Sequence, residues 1–339
     1  MDGWSLVIAD GEILAVAGPP GFGGTTLARL VAGVVRPSSG TVLINGVDVI
    51  DIPAARLPVG LVPAGGGLLP HLTVEENVTY GARLLGRPNA VIRHRLDAVA
   101  DRLELLPSLG LLPHEISPGQ RFRAALARAA MRSPQVLVVD ATAGAEGVVG
   151  LRQLIERAVA APTLSVLVCT NRPDVIDQAD RVIVRRRAGT GPSGSIATLR
   201  EAPPDLDTAR LVLRDPVIEL AGVVRDSRVD FAGMQIAVSQ PLRDGQRVIV
   251  VTSDALELGL PDQGVPAKIV ATDRAGAAMR VLVEPTSFQG VRWLARSAEV
   301  DRSRPRDRVG VNVIAERVFV FEAEDPHNLL WAPPPELNP

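Results

Sequence analysis

The sequence predicts an α/β domain followed by an all-β domain of the barrel type. Two apolar runs that end in polar residues, Gln135–Asp140 and Leu164–Asn171, are typical of buried parallel strands, and Thr25–Val35 has the apolar spacing of a helix. Beyond about residue 203, short strands alternate at regular intervals, which is typical of a small barrel or sandwich. The predicted limits are 1–205 for the first domain, 206–339 for the second, and about 73–134 for a helical subdomain.

Two turn dipeptides mark the start of the chain. Ser5–Gly18 reads as two short strands joined by an Asp-Gly turn. Gly40–Val49 predicts a hairpin with an Asn-Gly turn, because both residue types tolerate positive φ.

Composition excludes several classes of function. The net charge of −2 does not favour nucleic acid as a partner. No run of about 18 uncharged apolar residues occurs, so no membrane-spanning helix is expected, and the N-terminus lacks the pattern of a signal peptide. A single cysteine, Cys169, allows no internal disulfide and fits a cytosolic compartment. With only 3% aromatic residues, the core must consist mainly of aliphatic side chains.

The segment GPPGFGGTT, Gly18–Thr26, has the spacing of a phosphate-binding P-loop. It lies between a predicted strand and a predicted helix, where backbone N–H groups and the helix N-terminus attract phosphate. Thr25 offers a hydroxyl to Mg²⁺, but Gly24 stands where such a loop needs its lysine. Taken alone, this segment is equally consistent with a glycine-rich turn.

Three further segments occur in order: PHLTVEENV, ISPGQRFRAALARAAMRSPQVLVVD and ADRVIV. With the P-loop, they make residues 1–205 resemble the ATP-binding subunit of an ABC transporter. Residues 206–339 resemble the TOBE (OB-like) β-barrel regulatory domain of sugar-type importers, and LRDGQRVIVVTSDALEL is similar to the usual entry strand of that domain. The resemblance implies a P-loop NTPase fold with a helical subdomain.

The resemblance carries binding roles onto individual residues. The nucleotide-binding positions are Gly18, Gly21, Gly23, Gly24, Thr25 and Thr26. The signature motif, here ISPGQ, retains Ser117, Gly119 and Gln120, whereas its proline has no N–H to donate. Thr25 corresponds to the hydroxyl ligand of Mg²⁺ and Asp140 to the aspartate that holds Mg²⁺ through water, so ATP and Mg²⁺ are the implied cofactors, bound weakly. The first strand and the adenine-stacking aromatic of the family have no match, since Trp4 is not at the corresponding position.

Four positions that carry chemistry in the family hold other residues. Gly24, Ala64, Ala141 and Asn171 replace the family's lysine, glutamine, glutamate and histidine. Amino-acid composition does not explain the glycine at position 24. Lys268 is the single lysine among 36 basic residues, so a compositional bias would replace the lysine by arginine. Loss of the general base alone raises the barrier by about 3–5 kcal/mol. We therefore expect little or no ATP turnover at this site.

In the family, ATP is held between the P-loop of one subunit and the signature of the other. A homodimer of this chain would contain two defective sites, so the sequence predicts a heterodimer with an intact ATPase subunit. Ser117, Gly119 and Gln120 would complete the partner's site in trans. The resemblance also implies permease subunits that dock on Pro70–Gly86, and hence a position on the inner face of the cell membrane.

Two alternatives stay open at this point. One is an active ATPase with an atypical site, and the other is a pseudo-ATPase that acts as a scaffold or sensor outside transport. Sugars or polyols are the expected cargo for this architecture, although no residue here contacts cargo.

Overall fold

The computed structural model describes residues 4–143, 150–159, 161, 163–186, 189–213, 217–226, 228–237, 242–275, 278–287, 292–297, 307–323 and 329–331. The chain divides into two compact units, Met1–Ile196 and Ala197–Pro339. This division lies ahead of the expected boundary near residue 205, and the limits 1–205 and 206–339 remain a prediction.

The first unit is built on a six-stranded sheet in the order β4-β5-β6-β1-β7-β8. All neighbours pair in parallel except β7 and β8, which are antiparallel. These strands are β1 (Ile13–Ala17), β4 (Val59–Val62), β5 (Val136–Ala141), β6 (Ser165–Thr170), β7 (Arg181–Arg186) and β8 (Gly189–Gly194), and a separate hairpin comprises β2 (Leu43–Ile44) and β3 (Val47–Asp48). β1, β5 and β6 are almost entirely buried, as their continuous apolar sequences predict.

Helices surround this sheet and include the expected helical region. In chain order they are α1 (Gly24–Val31), α2 (Val74–Leu84), α3 (Asn89–Arg102), a 3₁₀ turn at Leu106–Ser108, α4 (Pro118–Ala130), α5 (Leu151–Ala158) and α6 (Pro173–Ile176). α2 begins with a capping box in which Thr73 and Glu76 exchange hydrogen bonds. Asn77, fully buried, binds the preceding turn through hydrogen bonds to the backbone of Leu69, Leu72 and Thr73.

The N-terminal two-strand prediction is wrong for its first half. Only β1 forms, and the residues from Trp4 to Ala9 adopt no regular structure. β1 already pairs with β6 on one side and β7 on the other, so no free edge is left for a hairpin partner. The predicted Asn45-Gly46 hairpin does form, with positive φ at both residues.

The second unit is rich in β-structure, as predicted, and contains a closed five-stranded barrel in the order β13-β16-β15-β14-β17. A six-stranded sheet in the order β11-β10-β9-β12-β18-β19 accompanies it. The barrel strands are β13 (Leu256–Gly259), β14 (Val265–Ala275), β15 (Ala278–Pro285), β16 (Trp293–Ser297) and β17 (Arg308–Val313). The sheet strands are β9 (Ile218–Arg225), β10 (Arg228–Phe231), β11 (Met234–Ala237), β12 (Gly245–Val251), β18 (Val318–Glu322) and β19 (Leu329–Trp331).

Two short helices precede these strands, α7 (Ile196–Glu201) and α8 (Leu206–Val212), and 3₁₀ turns lie at Ser253–Ala255 and Ala315–Arg317. α8 packs Leu206 and Ala209 against Phe319 and Phe321 of β18. None of the helices in the described part of the chain is long and apolar enough to span a bilayer.

Candidate functional site

The candidate site lies where β1, β4, β5 and β6 end at one edge of the first unit's sheet. Ala17 of β1 and Ala141 of β5 are both in register with Thr170 of β6, so three strands end side by side. The Gly18 N–H donates to the Thr170 carbonyl at 3.3 Å and joins the start of the P-loop to the end of β6. The carboxyl edge of a parallel sheet is the usual position for ligands in α/β folds.

The P-loop backbone has the shape that its glycines predict. Gly21 and Gly23 have φ values of 83° and 94°, which disfavour any residue with a Cβ atom. Gly23 is also the N-cap of α1, whose first turn receives no side-chain cap. Gly18 is buried, whereas Thr26 is exposed on α1. The loop therefore ends at the start of α1, next to the positive end of the helix dipole, and its Phe22 N–H donates to the Pro19 carbonyl at 3.0 Å.

An aromatic ring lies beside the position of the missing lysine. A Cβ atom on Gly24 would lie only 2.4 Å from Cζ of Phe22 and 2.9 Å from the methyl group of Thr142. A Cβ atom on Gly18 would lie 2.6 Å from Cβ and Cγ of the same phenylalanine. The loop is thus packed around the Phe22 ring, and a lysine at position 24 requires that ring to move.

Asp140, at the end of β5, is buried with only 5% of its surface exposed. Its Oδ1 accepts hydrogen bonds from the Thr142 hydroxyl at 2.6 Å and from the Thr142 N–H at 3.2 Å. The Thr142 hydroxyl also lies 3.1 Å from the hydroxyl of Thr25 in α1. The two residues that the resemblance assigns to Mg²⁺ are therefore connected through a third side chain.

This geometry does not favour joint magnesium binding by Thr25 and Asp140. Mg²⁺ requires near-octahedral oxygen ligands, and one Asp140 oxygen already accepts two hydrogen bonds from Thr142. The described residues contain no cluster of three or more acidic, histidine or cysteine side chains that could hold a metal ion by themselves. The assignment of Mg²⁺ to Thr25 and Asp140 remains a prediction.

Ala64 lies in a loop after β4 that is shaped by three glycines with positive φ, Gly65, Gly66 and Gly67. Arg128 of α4 donates to the carbonyls of Gly66 at 2.9 Å and Gly67 at 2.8 Å. Burial lowers the pKa of Arg128 from its usual value, because the protein interior solvates the charge less well than water. An arginine from the signature helix therefore fixes this loop, and the alanine side chain has no polar group to contact nucleotide.

The remaining replaced positions also lack reactive groups. Ala141 ends β5 and is 1% exposed, and Asn171 follows β6 in a half-buried position. An alanine cannot accept a proton, and an asparagine does not titrate near neutral pH. Cys169 in β6 is fully buried, and burial together with the nearby Asp140 charge raises its thiol pKa. It packs in the core, as its position in an apolar strand predicts.

The signature residues form a capped helix N-terminus. Ser117 is the N-cap of α4 and exchanges hydrogen bonds with Gln120, whose side chain also donates to Ser108 at 2.9 Å. Pro118 occupies the first helical position, where a missing N–H disrupts no helical hydrogen bond. Because the Gln120 N–H binds Ser117 Oγ, the Gly119 N–H is the donor left for a ligand. Ser117 and Pro118 are exposed, so this N-terminus faces solvent.

One face of the Trp4 ring is covered by an arginine. The guanidinium carbon of Arg185 lies 4.8 Å from the centroid of its ring, which is a cation–π distance. Sequence reasoning did not anticipate this pair, nor the contacts of Phe22, Thr142 and Arg128. The bulky Phe22 within the glycine-rich loop was the one signal visible in the sequence.

Fold and site together define a P-loop nucleotide-binding domain with the architecture of an ATP-binding cassette. The family model described as "ABC transporter" matches residues 1–143. The iron(III) import ATP-binding protein FbpC 1 of Rhodococcus jostii is 32% identical, with 93% of both chains covered. The glycerol-3-phosphate import ATP-binding protein UgpC of Yersinia pseudotuberculosis is 30% identical, over 80% of this chain and 79% of its own. The chain therefore belongs to the ABC transporter family, among the ATP-binding subunits of importers.

Two other comparisons are more limited in extent. The spermidine/putrescine import ATP-binding protein PotA of Mannheimia succiniciproducens is 32% identical over 62% of this chain and 58% of its own. The solved structure of cbiO1 from Clostridium perfringens aligns with a TM-score of 0.50 at 23% identity, covering 58% of this chain and 86% of that one. At that identity, the structural match concerns the fold alone.

Proposed function

We propose that this chain is the non-hydrolytic ATP-binding subunit of an importer, and that its signature helix completes the active site of an intact partner subunit. ATP with magnesium is the ligand that family membership implies. In this proposal, the chain's own P-loop holds nucleotide weakly, and the partner carries out hydrolysis.

One contrast carries the proposal. Within one unit, the positions at the P-loop and the neighbouring strand ends that carry chemistry in the family hold Gly24, Ala64, Ala141 and Asn171, while the N-terminus of α4 is capped and exposed. The groups that this chain's P-loop site lacks either stabilise charge or move a proton during hydrolysis. Each such group typically raises the reaction rate by a factor of about 10²–10⁴. The groups that α4 presents are a hydroxyl and a backbone N–H at a helix N-terminus, which suit a γ-phosphate bound by another subunit.

The region expected to dock on permeases has features that support that role. In α2, Tyr80 and Leu84 are 43% and 72% exposed, and Leu85, which follows, is 48% exposed. Neighbouring exposed apolar side chains often mark a protein interface. Asn77 holds the turn before α2 through its buried hydrogen bonds, so this surface is preorganised. We propose that permease subunits bind here and hold the chain at the inner face of the membrane.

The cargo follows from the permease rather than from this chain. Relatives are named for iron(III), spermidine/putrescine and glycerol-3-phosphate, and the sequence expectation of sugar or polyol cargo rests on domain architecture alone. We therefore propose import as the process and assign no cargo-binding residue.

The test is co-expression with an intact relative that carries the lysine, glutamine, glutamate and histidine. ATP hydrolysis by the purified pair is measured with wild-type chain, with Ser117→Arg, and with His94→Arg as a matched control on the exposed face of α3. We expect Ser117→Arg to lower the rate at least about 100-fold, because it removes a donor to the γ-phosphate and places a bulky side chain there. His94→Arg should leave the rate unchanged. An equal rate with Ser117→Arg and wild type would show that this helix does not serve the partner's site.

The same purification separates the two alternatives. Brisk hydrolysis by this chain alone would favour an active ATPase with an atypical site. Failure to bind any permease, with the exposed α2 surface intact, would favour a scaffold or sensor outside transport.

A further inference from the structure

Thr142 connects the two residues that the family resemblance assigns to magnesium. A threonine hydroxyl has one proton and an ionised carboxylate only accepts, so the 2.6 Å bond to Asp140 uses the Thr142 proton. In the second bond, 3.1 Å long, the Thr25 hydroxyl must therefore be the donor. The result is a directed chain of hydrogen bonds from α1, through Thr142, to the end of β5.

The same residue meets needs that a metal ion would otherwise meet. Asp140 is almost fully buried, and a buried carboxylate requires hydrogen bonds or a cation in place of water. Thr142 supplies two donors to one of its oxygens. The Thr142 methyl group also lies 2.9 Å from where a Cβ atom on Gly24 would be. One side chain thus contacts both the metal-ligand residues and the lysine position.

We propose that Thr142 replaces magnesium as the link between the P-loop and β5, so that this pocket binds nucleoside triphosphate independently of magnesium. The proposal rests on the proposed function, in which the pocket holds nucleotide without hydrolysing it. Thr142 is a positioning residue here, because it acts through Thr25 and Asp140. In P-loop sites where a metal ion joins hydroxyl, carboxylate and phosphates, nucleotide and metal bind together. Where the Thr142 hydroxyl joins the P-loop to β5 in place of the metal ion, nucleotide binding no longer depends on metal binding.

The test is calorimetric titration of the isolated full chain with ATP, once in EDTA and once in excess MgCl₂. For wild type we expect the two dissociation constants to agree within about twofold, whereas changes in the residues around a metal ligand typically alter metal affinity about 10–100-fold. Thr142→Val removes the hydroxyl at nearly constant shape and should make ATP binding at least about tenfold tighter with magnesium than without. Thr142→Ser retains the hydroxyl and should behave like wild type. Thr79→Val is the matched control, since this buried hydroxyl binds a carbonyl within α2.

Each contrary result overturns the proposal. The first is that wild-type chain binds ATP only with magnesium. The second is that ATP binding by Thr142→Val depends on magnesium no more than in wild type. The third is that wild-type chain binds no ATP under either condition. Circular dichroism of each variant separates misfolding from a binding change, and Thr142→Ala, which also lacks the hydroxyl, replaces Thr142→Val if that variant unfolds. The proposed signature role is tested separately, by the effect of Ser117→Arg on ATP hydrolysis by the partner. A failure of one proposal can therefore be told from a failure of the other.

Discussion

Two helix N-termini in the first unit use the same backbone chemistry in different surroundings. α1 begins after Gly23 without a side-chain cap, and Phe22 and Thr142 crowd its first residue. α4 begins at a capping box formed by Ser117 and Gln120, and its first residues face solvent. Both termini offer N–H groups and a partial positive charge to phosphate. The two helix starts thus differ in the side chains around them, and in our proposal these side chains decide whether a bound phosphate is hydrolysed.

The largest effect should come from returning the lysine together with the space that it needs. We expect Gly24→Lys combined with Phe22→Ala to tighten ATP binding about 10–100-fold, the range of one charge-assisted hydrogen bond. Gly24→Lys alone should gain far less, because its Cβ meets the Phe22 ring. Neither variant should hydrolyse ATP, since Ala141 still provides no base.

The control for this pair is Gly110→Lys, which adds the same charge at an exposed glycine with open space around it. Calorimetry gives the affinities, and phosphate release gives the turnover. Restored hydrolysis in Gly24→Lys alone would mean that the lysine, and not the base, limits this site.

A second test concerns how the signature helix is held. Arg128→Met removes both hydrogen bonds to the loop that carries Ala64, and we expect a loss of about 2 kcal/mol in the free energy of unfolding. Arg87→Met, at an exposed position after α2, is the matched control and should change stability by less than about 0.5 kcal/mol. Urea denaturation measures both. Equal stability of the two variants would argue against Arg128 as the anchor of the loop.

The two helix starts can also be compared directly. Gly23→Ala places a Cβ at φ 94°, and we expect it to destabilise the protein by about 1–2 kcal/mol. Ser117→Ala removes one half of the capping box and should cost about 1 kcal/mol. Thermal unfolding of both variants checks the order. A larger loss for Ser117→Ala would show that the capping box matters more than the backbone strain.

The smallest effect is a pH dependence at the start of β1. Glu12 accepts a hydrogen bond from Arg181 at 2.7 Å, and this contact lowers the Glu12 pKa below its ordinary value of 4.5. The stabilisation is therefore present above about pH 4.5 and is lost as the pH falls through the folded-state pKa. We expect Glu12→Gln to cost about 1 kcal/mol at neutral pH and almost nothing at about pH 3. A cost that is constant with pH would mean that ionisation of Glu12 does not contribute.

Sequence reasoning predicted the strands and helices that carry the candidate site, and the roles of the site residues remain a prediction. The glycine spacing indicated the P-loop, and the family resemblance then assigned Asp140 and the signature to the end of β5 and the start of α4. Phe22 and Thr142 could not be placed, because their roles arise where α1 meets β5 and depend on side-chain packing across the sheet. Similarly, the sequence could not show that the predicted strand before β1 does not form. That outcome depends on β6 and β7, which already pair with both edges of β1.

The most direct test of the central claim is phosphate release from ATP and magnesium by this chain purified alone. We expect a rate at least about 100-fold below that of an intact subunit under the same conditions, as loss of the general base alone predicts. Comparable magnesium-dependent turnover by the isolated chain would contradict the account.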